Sequence, residues 1–162
     1  MSSLGTQITA AIKTALEGID GTGSYTHDLS DDGVVRIASE DTEGGYPSVT
    51  IEPAGMKSGR AAVPSGSVGR VALNQWGRAY TRLIWARVDH GGTTQLALAA
   101  AEDLLDDICR AIEADPRLGL KSEGVIDSIV DGTAYAGGDE GVSEGASVFA
   151  EVTVYAALTT GA

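Results

Sequence analysis

Gly141-Val142-Ser143-Glu144-Gly145 is the one place where this sequence offers a nucleophile in a recognised spacing. A G-x-S-x-G elbow activates its serine because a strand-to-helix turn lifts the hydroxyl towards a base and an oxyanion hole. Here the residues that follow alternate like a strand, so the helix that the elbow needs is missing. His27 and His90 are the only histidines available as a base. The first falls inside a β-like run and the second at a strand end, where turn and surface histidines ordinarily occur. Ser65-Gly66-Ser67-Val68-Gly69-Arg70 has the glycines of a phosphate cradle but not the G-x-x-x-x-G-K-[ST] spacing, and reads as a flexible basic loop. Asp131, Asp139 and Glu140 match no calcium-loop pattern. Asp103, Asp106 and Asp107 lie on a helical stretch without a histidine at metal-ligand spacing. The expectation is a protein that is not an enzyme, with no cofactor and no metal. A small hydrolase built on Ser143 is the reading set aside.

Charge is the stronger signal. From Pro53 to Val88 the chain carries Lys57, Arg60, Arg70, Arg78, Arg82 and Arg87 and not one Asp or Glu. The chain has 11 Lys+Arg and 23 Asp+Glu, so everything outside this segment has five cations against all 23 carboxylates. Like charges grouped this way repel one another, and a partner that neutralises them relieves the repulsion. In a self-associating protein that partner is the acidic surface of another copy. The net charge of −12 argues against general nucleic-acid binding, which needs phosphate neutralisation.

The 162 residues suffice for one domain with a proper core, and 43% hydrophobic content is ordinary for a globular chain. A single cysteine, Cys109, excludes an internal disulfide and reads as a small core residue. No apolar run approaches membrane length, and the N-terminus lacks a basic-then-apolar signal pattern. A soluble chain made in a cytoplasm, without membrane contact, is expected.

The elements that must carry these charges follow from periodicity. Leu4, Ile8, Ala11, Ile12, Ala15, Leu16 and Ile19 recur at three and four, one apolar helical face capped by Ser2 or Ser3. Two β-like runs over 24–29 and 34–39 flank Ser30-Asp31-Asp32-Gly33, a hairpin signal. Tyr46–Glu52 alternates as a half-buried strand. Residues 53–77 then show no usable periodicity over about 25 residues, a length that in a compact domain marks a functional or disordered insertion. They are expected to form an extended arm. Ala79–Asp89 is the clearest strand, with Tyr80, Arg82, Ile84, Ala86 and Val88 on one face and Ala79, Thr81, Leu83, Trp85 and Arg87 on the other. A second helix, capped by Thr93 or Thr94, runs to about Ala114 on the stripe Leu98, Ala101, Leu105, Ile108 and Ile112. Glu102, Asp103, Asp106 and Asp107 are assigned to its acidic outer side. Val125–Tyr135 and Ser147–Leu158 are the closing strands, joined by a Gly-rich acidic loop with Asp139 and Glu140.

The fold class expected is α+β: a mostly antiparallel sheet of about five to six strands, with two helices packed on one face and a long basic loop. The opposite face is left with Trp85, Arg87, Phe149, Tyr155 and Glu151, a mixed surface suited to a subunit contact. Trp and Arg together are enriched at binding hot spots. The contact residues expected are Lys57, Arg60, Arg70, Trp76, Arg78, Arg82, Trp85 and Arg87, against an acidic surface of Glu102, Asp103, Asp106, Asp107, Asp139 and Glu140.

This order of elements resembles a known family. An N-terminal helix leads to Tyr46-Pro47-Ser48-Val49-Thr50-Ile51, a long loop, and the strand Arg82-Leu83-Ile84-Trp85-Ala86-Arg87-Val88. Gly91-Gly92 precedes a helix over Gln95–Ala114, then Asp115-Pro116-Arg117-Leu118-Gly119 and two closing strands. Over nearly its whole length, residues 1–162, the chain is similar to the tail terminator, or tail completion, proteins of long-tailed bacteriophages of the lambda type. That resemblance implies a structural virion protein assembled in the host cytoplasm into a hexameric ring. Such a ring caps the tail tube at its neck end, stops its polymerisation and offers the surface that the neck joins. Its partners would be copies of itself, the tube protein and a neck or connector protein, with DNA passing the lumen without specific binding. The alternatives are a connector stopper, a tube subunit, or a soluble adaptor that holds an acidic partner on the basic arm.

Overall fold

The computed structural model describes residues 2–38, 46–59, 76–90, 93–137 and 145–158. The first helix, α1, spans Leu4–Glu17, and the Ser3 hydroxyl accepts a hydrogen bond from the Thr6 N–H at 3.2 Å. That cap satisfies one of the four N–H groups that a helix start leaves unpaired. Ile8, Ile12 and Leu16 are fully buried along one stripe.

The second helix, α2, spans Thr94–Glu113 and starts from Thr93, whose hydroxyl accepts from the Leu96 N–H. Its buried stripe runs through Ala97, Ala101, Leu104, Ile108 and Ile112. Leu98, expected in the core, is 41% exposed, and Leu96 is 55% exposed. Two overlapping helical stripes share Ala101, Ile108 and Ile112. The one through Ala97, Ala100 and Leu104 is the buried one.

Five strands form one sheet: β1 (Val35–Ile37), β2 (Ser48–Gly59), β3 (Trp76–Asp89), β4 (Val125–Gly137) and β5 (Gly145–Leu158), in the order β1-β2-β3-β5-β4. The pair β1–β2 is parallel and the other three are antiparallel, so the α+β sandwich carries a mixed sheet. Both helices lie on one face. The β5 side chains Val148, Ala150, Val152, Val154 and Ala156 are buried beneath them, as are Ile84 and Ala86 of β3. Each large aliphatic side chain buried in this layer contributes about 1.5–3 kcal/mol. At Gly132 a Cβ would stand 2.6 Å from the Leu105 side chain, so the missing side chain is what seats α2 on β4.

Two expectations are corrected here. The hairpin over 24–39 does not form. Asp28 accepts hydrogen bonds from the Ser30 N–H and hydroxyl, and the N–H groups of Thr26 and His27 go to a carboxylate of α2, so this run has no ladder to offer. It makes only a bridge between Asp20 and Asp28, while residues 35–37 pair with β2 instead. The sheet accordingly has five strands among the described residues, within the five to six expected. The arm expected over 53–77 begins as strand: β2 continues to Gly59 and β3 starts at Trp76, with a bulge between Pro53 and Met56. Residues 60–75 of that arm lie outside the described residues.

Asp20 and Asp28 are held below the ordinary carboxylate range, chiefly by the hydroxyls of Thr22 and Ser30 and then by the N–H groups of the same residues. A depressed folded pKa gives stability that is present at neutral pH and lost as pH falls through the folded value.

Gly124 closes the turn into β4 with φ +96°, and its carbonyl accepts from the Ala157 N–H at 2.9 Å. A Cβ there would collide with the Ala157 carbonyl oxygen, whereas at Gly119, φ +68°, it would meet open space. Left-handed backbone alone costs a side chain about 1–2 kcal/mol. Gly124→Ala is therefore expected to lose more stability in urea than Gly119→Ala. Equal losses would contradict the steric reading.

Candidate functional site

The nucleophile pattern at Ser143 lies outside the described residues, but Gly145 opens β5, so a strand and not a helix follows it. One histidine meets a carboxylate. The ring Nδ1 of His27 lies 3.2 Å from Asp107 Oδ2, and because a carboxylate only accepts, Nδ1 carries the hydrogen. The same carboxylate accepts the Thr26 N–H on both oxygens at 3.1 Å and the His27 N–H at 2.8 Å. Arg110 Nη1 stands 3.8 Å away and donates to the Ser24 carbonyl at 2.8 Å. Among the described residues no hydroxyl is hydrogen-bonded to the His27 ring. Asp107 instead staples the 24–29 loop to α2.

Asp107 was assigned to the acidic outer side of α2. It is fully buried, and that assignment is corrected. Ala100, Leu104, Asp107 and Ala111 form one row at helical spacing, so the inward direction was readable from the stripe. Glu102, Asp103 and Asp106 do stand exposed on α2; Asp139 and Glu140 lie outside the described residues. Cys109 is half-buried and its thiol is pushed up by burial, then by Glu113 and Asp106, which leaves it protonated and a weak nucleophile. Among the described residues no three His, Cys, Asp or Glu side chains converge to hold a metal ion. Two open grooves lie at the C-terminal ends of the helices, one of about 330 Å³ along Ala11, Ala15 and Ala111, one of about 640 Å³ beside Asp115, Arg117 and Lys121.

What remains is the face of the sheet turned away from the helices. Register places its side chains in rows. Thr50, Trp85, Phe149 and Thr133 make one row; Ser48, Arg87, Ser147 and Tyr135 the next; Glu52, Leu83, Glu151 and Asp131 a third. Trp85 is 44% exposed and packs on Phe149 with ring centroids 4.4 Å apart. Arg87 lies over the Tyr46 ring at 4.7 Å. Ile129 and Tyr135 are 50% and 41% exposed on β4. Exposed aromatic and aliphatic side chains gathered on one face of a domain mark an interaction site. Within the third row Glu151 and Asp131 stand directly opposite each other, both exposed, with no cation in their row. Like charges so placed are destabilising.

The expected contact residues divide on this frame. Trp85 and Arg87 are on the open face, and the register puts Lys57 on the same side, exposed on β2. Trp76 is the first residue of β3. Arg60 and Arg70 lie outside the described residues. Arg78 faces the helix layer, half-buried, and donates to the Tyr80 hydroxyl at 3.4 Å. Arg82 is the second correction: it is 6% exposed beneath α1 and meets no surface. Its Nε donates to Thr9 Oγ1 at 2.8 Å, Nη2 to the Gly5 carbonyl at 3.1 Å and Nη1 to the Thr81 carbonyl at 2.8 Å. Desolvation lowers its pKa. The alternation of β3 had already put Arg82 on the covered face, between Tyr80 and Ile84.

No protein-family model and no curated protein matches the chain.

Two substitutions separate structural from surface roles. Asp107→Asn sets an amide donor against the N–H groups of the 24–29 loop and is expected to lose about 2–3 kcal/mol in denaturant, with faster amide exchange at Thr26 and His27. Arg82→Met is expected to lower the melting temperature while leaving the oligomeric state of the folded protein unchanged. A shift in oligomeric state without loss of stability would return Arg82 to the interface.

Proposed function

We propose that this chain is a ring-forming structural protein of a phage tail: a tail terminator that caps the tail tube at its neck end, ends its polymerisation and presents the surface to which the neck attaches. The observation that carries the reading is the bare sheet face, with Trp85, Ile129 and Tyr135 exposed and the uncompensated Glu151–Asp131 pair beside them. A two-layer domain that covers one sheet face with helices and leaves exposed aromatics and a like-charge pair on the other is built for a partner. The base-only segment of the same chain offers the missing cations, so the simplest partner is another copy. The tube protein and the neck or connector protein are the further partners of the completed ring. The strongly negative chain repels phosphate, which lets DNA pass the lumen without being held.

A terminator closes as one ring of fixed size, a tube subunit grows without limit, and a soluble adaptor stays monomeric. Native mass spectrometry of the purified chain is expected to show a single closed oligomer whose size does not rise with concentration. Open-ended growth or a monomer at all concentrations would sink the reading. Two variants sharpen it. Reversing Arg60 and Arg70 to Glu is expected to abolish assembly with the monomer still folded. Asp131→Asn is expected to stabilise the monomer by roughly 0.2–1 kcal/mol, because it removes a like-charge pair, and to weaken assembly.

A further inference from the structure

The sheet has two edges, and they differ in sign. β4 forms one edge over its whole length, and among the described residues no strand pairs with its outer side. It carries Asp127 and Asp131 and no cation. At the other edge, among the described residues, β1 pairs only with Val49–Ile51, so beyond Pro53 β2 itself is the outermost described strand. That stretch is exposed through Ser58 and carries Lys57 and no carboxylate. Pro53 and the bulge before Met56 interrupt the edge, leaving Met56–Gly59 as its regular part. Edge strands present a row of backbone N–H and C=O groups to any chain that can pair with them.

We propose that β4 of one copy takes the Met56–Gly59 segment of a second copy as its next strand, so that subunits join edge to edge and head to tail. The proposal rests on the ring reading above and adds an edge contact to the open-face one. Strand direction permits it. β2 is antiparallel to β3, β3 to β5 and β5 to β4, so β2 and β4 run in opposite directions. A second copy set down in the same orientation therefore brings its β2 antiparallel to β4, with both helix layers on one side. Register gives the contact its charge pair. Lys57, Ala79, Tyr155 and Asp127 share a single row across the open face. Continuing that row into the next copy places Lys57 of the second copy beside Asp127, an opposite-charge cross-strand pair.

The twofold alternative, β4 against β4, is disfavoured by the same residues. Centred on Ile129, an antiparallel pairing sets Asp127 against Asp131 twice, like charge directly opposite like charge. Head-to-tail contacts close into a ring when their rotation allows, and the twist between neighbouring strands supplies rotation at every step.

The test is disulfide capture in the full chain, with Cys109→Ser so that no native thiol competes. Lys57→Cys combined with Asp127→Cys, oxidised gently, is expected to give a ladder of covalent oligomers beyond the dimer, with neither single variant giving one. Ile129→Cys alone is expected to give no efficient dimer. Efficient Ile129→Cys dimers, or a double variant that stays uncrosslinked, would overturn the proposal. The native mass of the wild type, taken alongside, separates the two claims. An intact ring without a ladder overturns the edge contact and leaves the ring reading standing; a monomer overturns both. A charge swap gives a second readout. Asp127→Lys is expected to weaken assembly at least tenfold, and Lys57→Asp in the same chain to restore it. Failure of that restoration also counts against the edge contact.

Discussion

The pairing of β3 with β5 is the constraint on which the rest of the molecule depends. The two strands match without a break from Trp76 against Leu158 to Asp89 against Gly145. Because side chains alternate, this ladder decides every face at once. It sends Ile84, Ala86, Val148 and Val152 under the helices and turns Trp85, Phe149 and Glu151 outwards. A slip of one residue would bury Trp85 and Glu151 and expose the aliphatic row. β4 and β2 attach to the outer sides of this pair, so the positions of both sheet edges follow from it.

Much of this was legible in the sequence, for a physical reason. Where a single face is buried, period two and period 3.6 are enforced residue by residue, and α1, α2, β3, β4 and β5 all obey that rule. The parts that were not legible depend on side chains that compete with regular structure. Asp28 and Ser30 close local turns, and Asp107 collects the backbone donors of residues 26 and 27, so a run with β composition never reaches a ladder. The alternation that marks β2 stops at Glu52, because Pro53, Gly55 and a bulge hide its continuation to Gly59. For Asp107 and Arg82, charge points to the surface, whereas position in the helical stripe and in the strand alternation points inward. In both, a buried ion is held by hydrogen bonds within the fold: Asp107 by backbone N–H groups, Arg82 by backbone carbonyls and the Thr9 hydroxyl.

Those two buried ions also sharpen the account of the basic segment. Its cations are not one surface. Arg82 is used inside the fold and Arg78 faces the helix layer, while Trp85 and Arg87 belong to the open face and Lys57 to the β2 edge. The fold thus sorts a block of sequence charge into a structural part and a presented part. On the far edge Asp127 and Asp131 are presented without a cation in their strand. Opposite signs on opposite edges favour contacts between unlike edges and penalise contacts between like ones, which is the electrostatic requirement for head-to-tail assembly.

Amide hydrogen exchange of β4 in the assembled protein and in a dissociated, folded variant tests the central claim most directly. In an antiparallel edge strand, alternate N–H groups point away from the sheet and exchange with solvent unless another strand covers them. The account predicts that the outward amides at the Asp127 end of Val125–Gly137 become slow on assembly, while those bonded to β5 change little. Assembly that protects other regions and leaves every β4 amide as it was would contradict it.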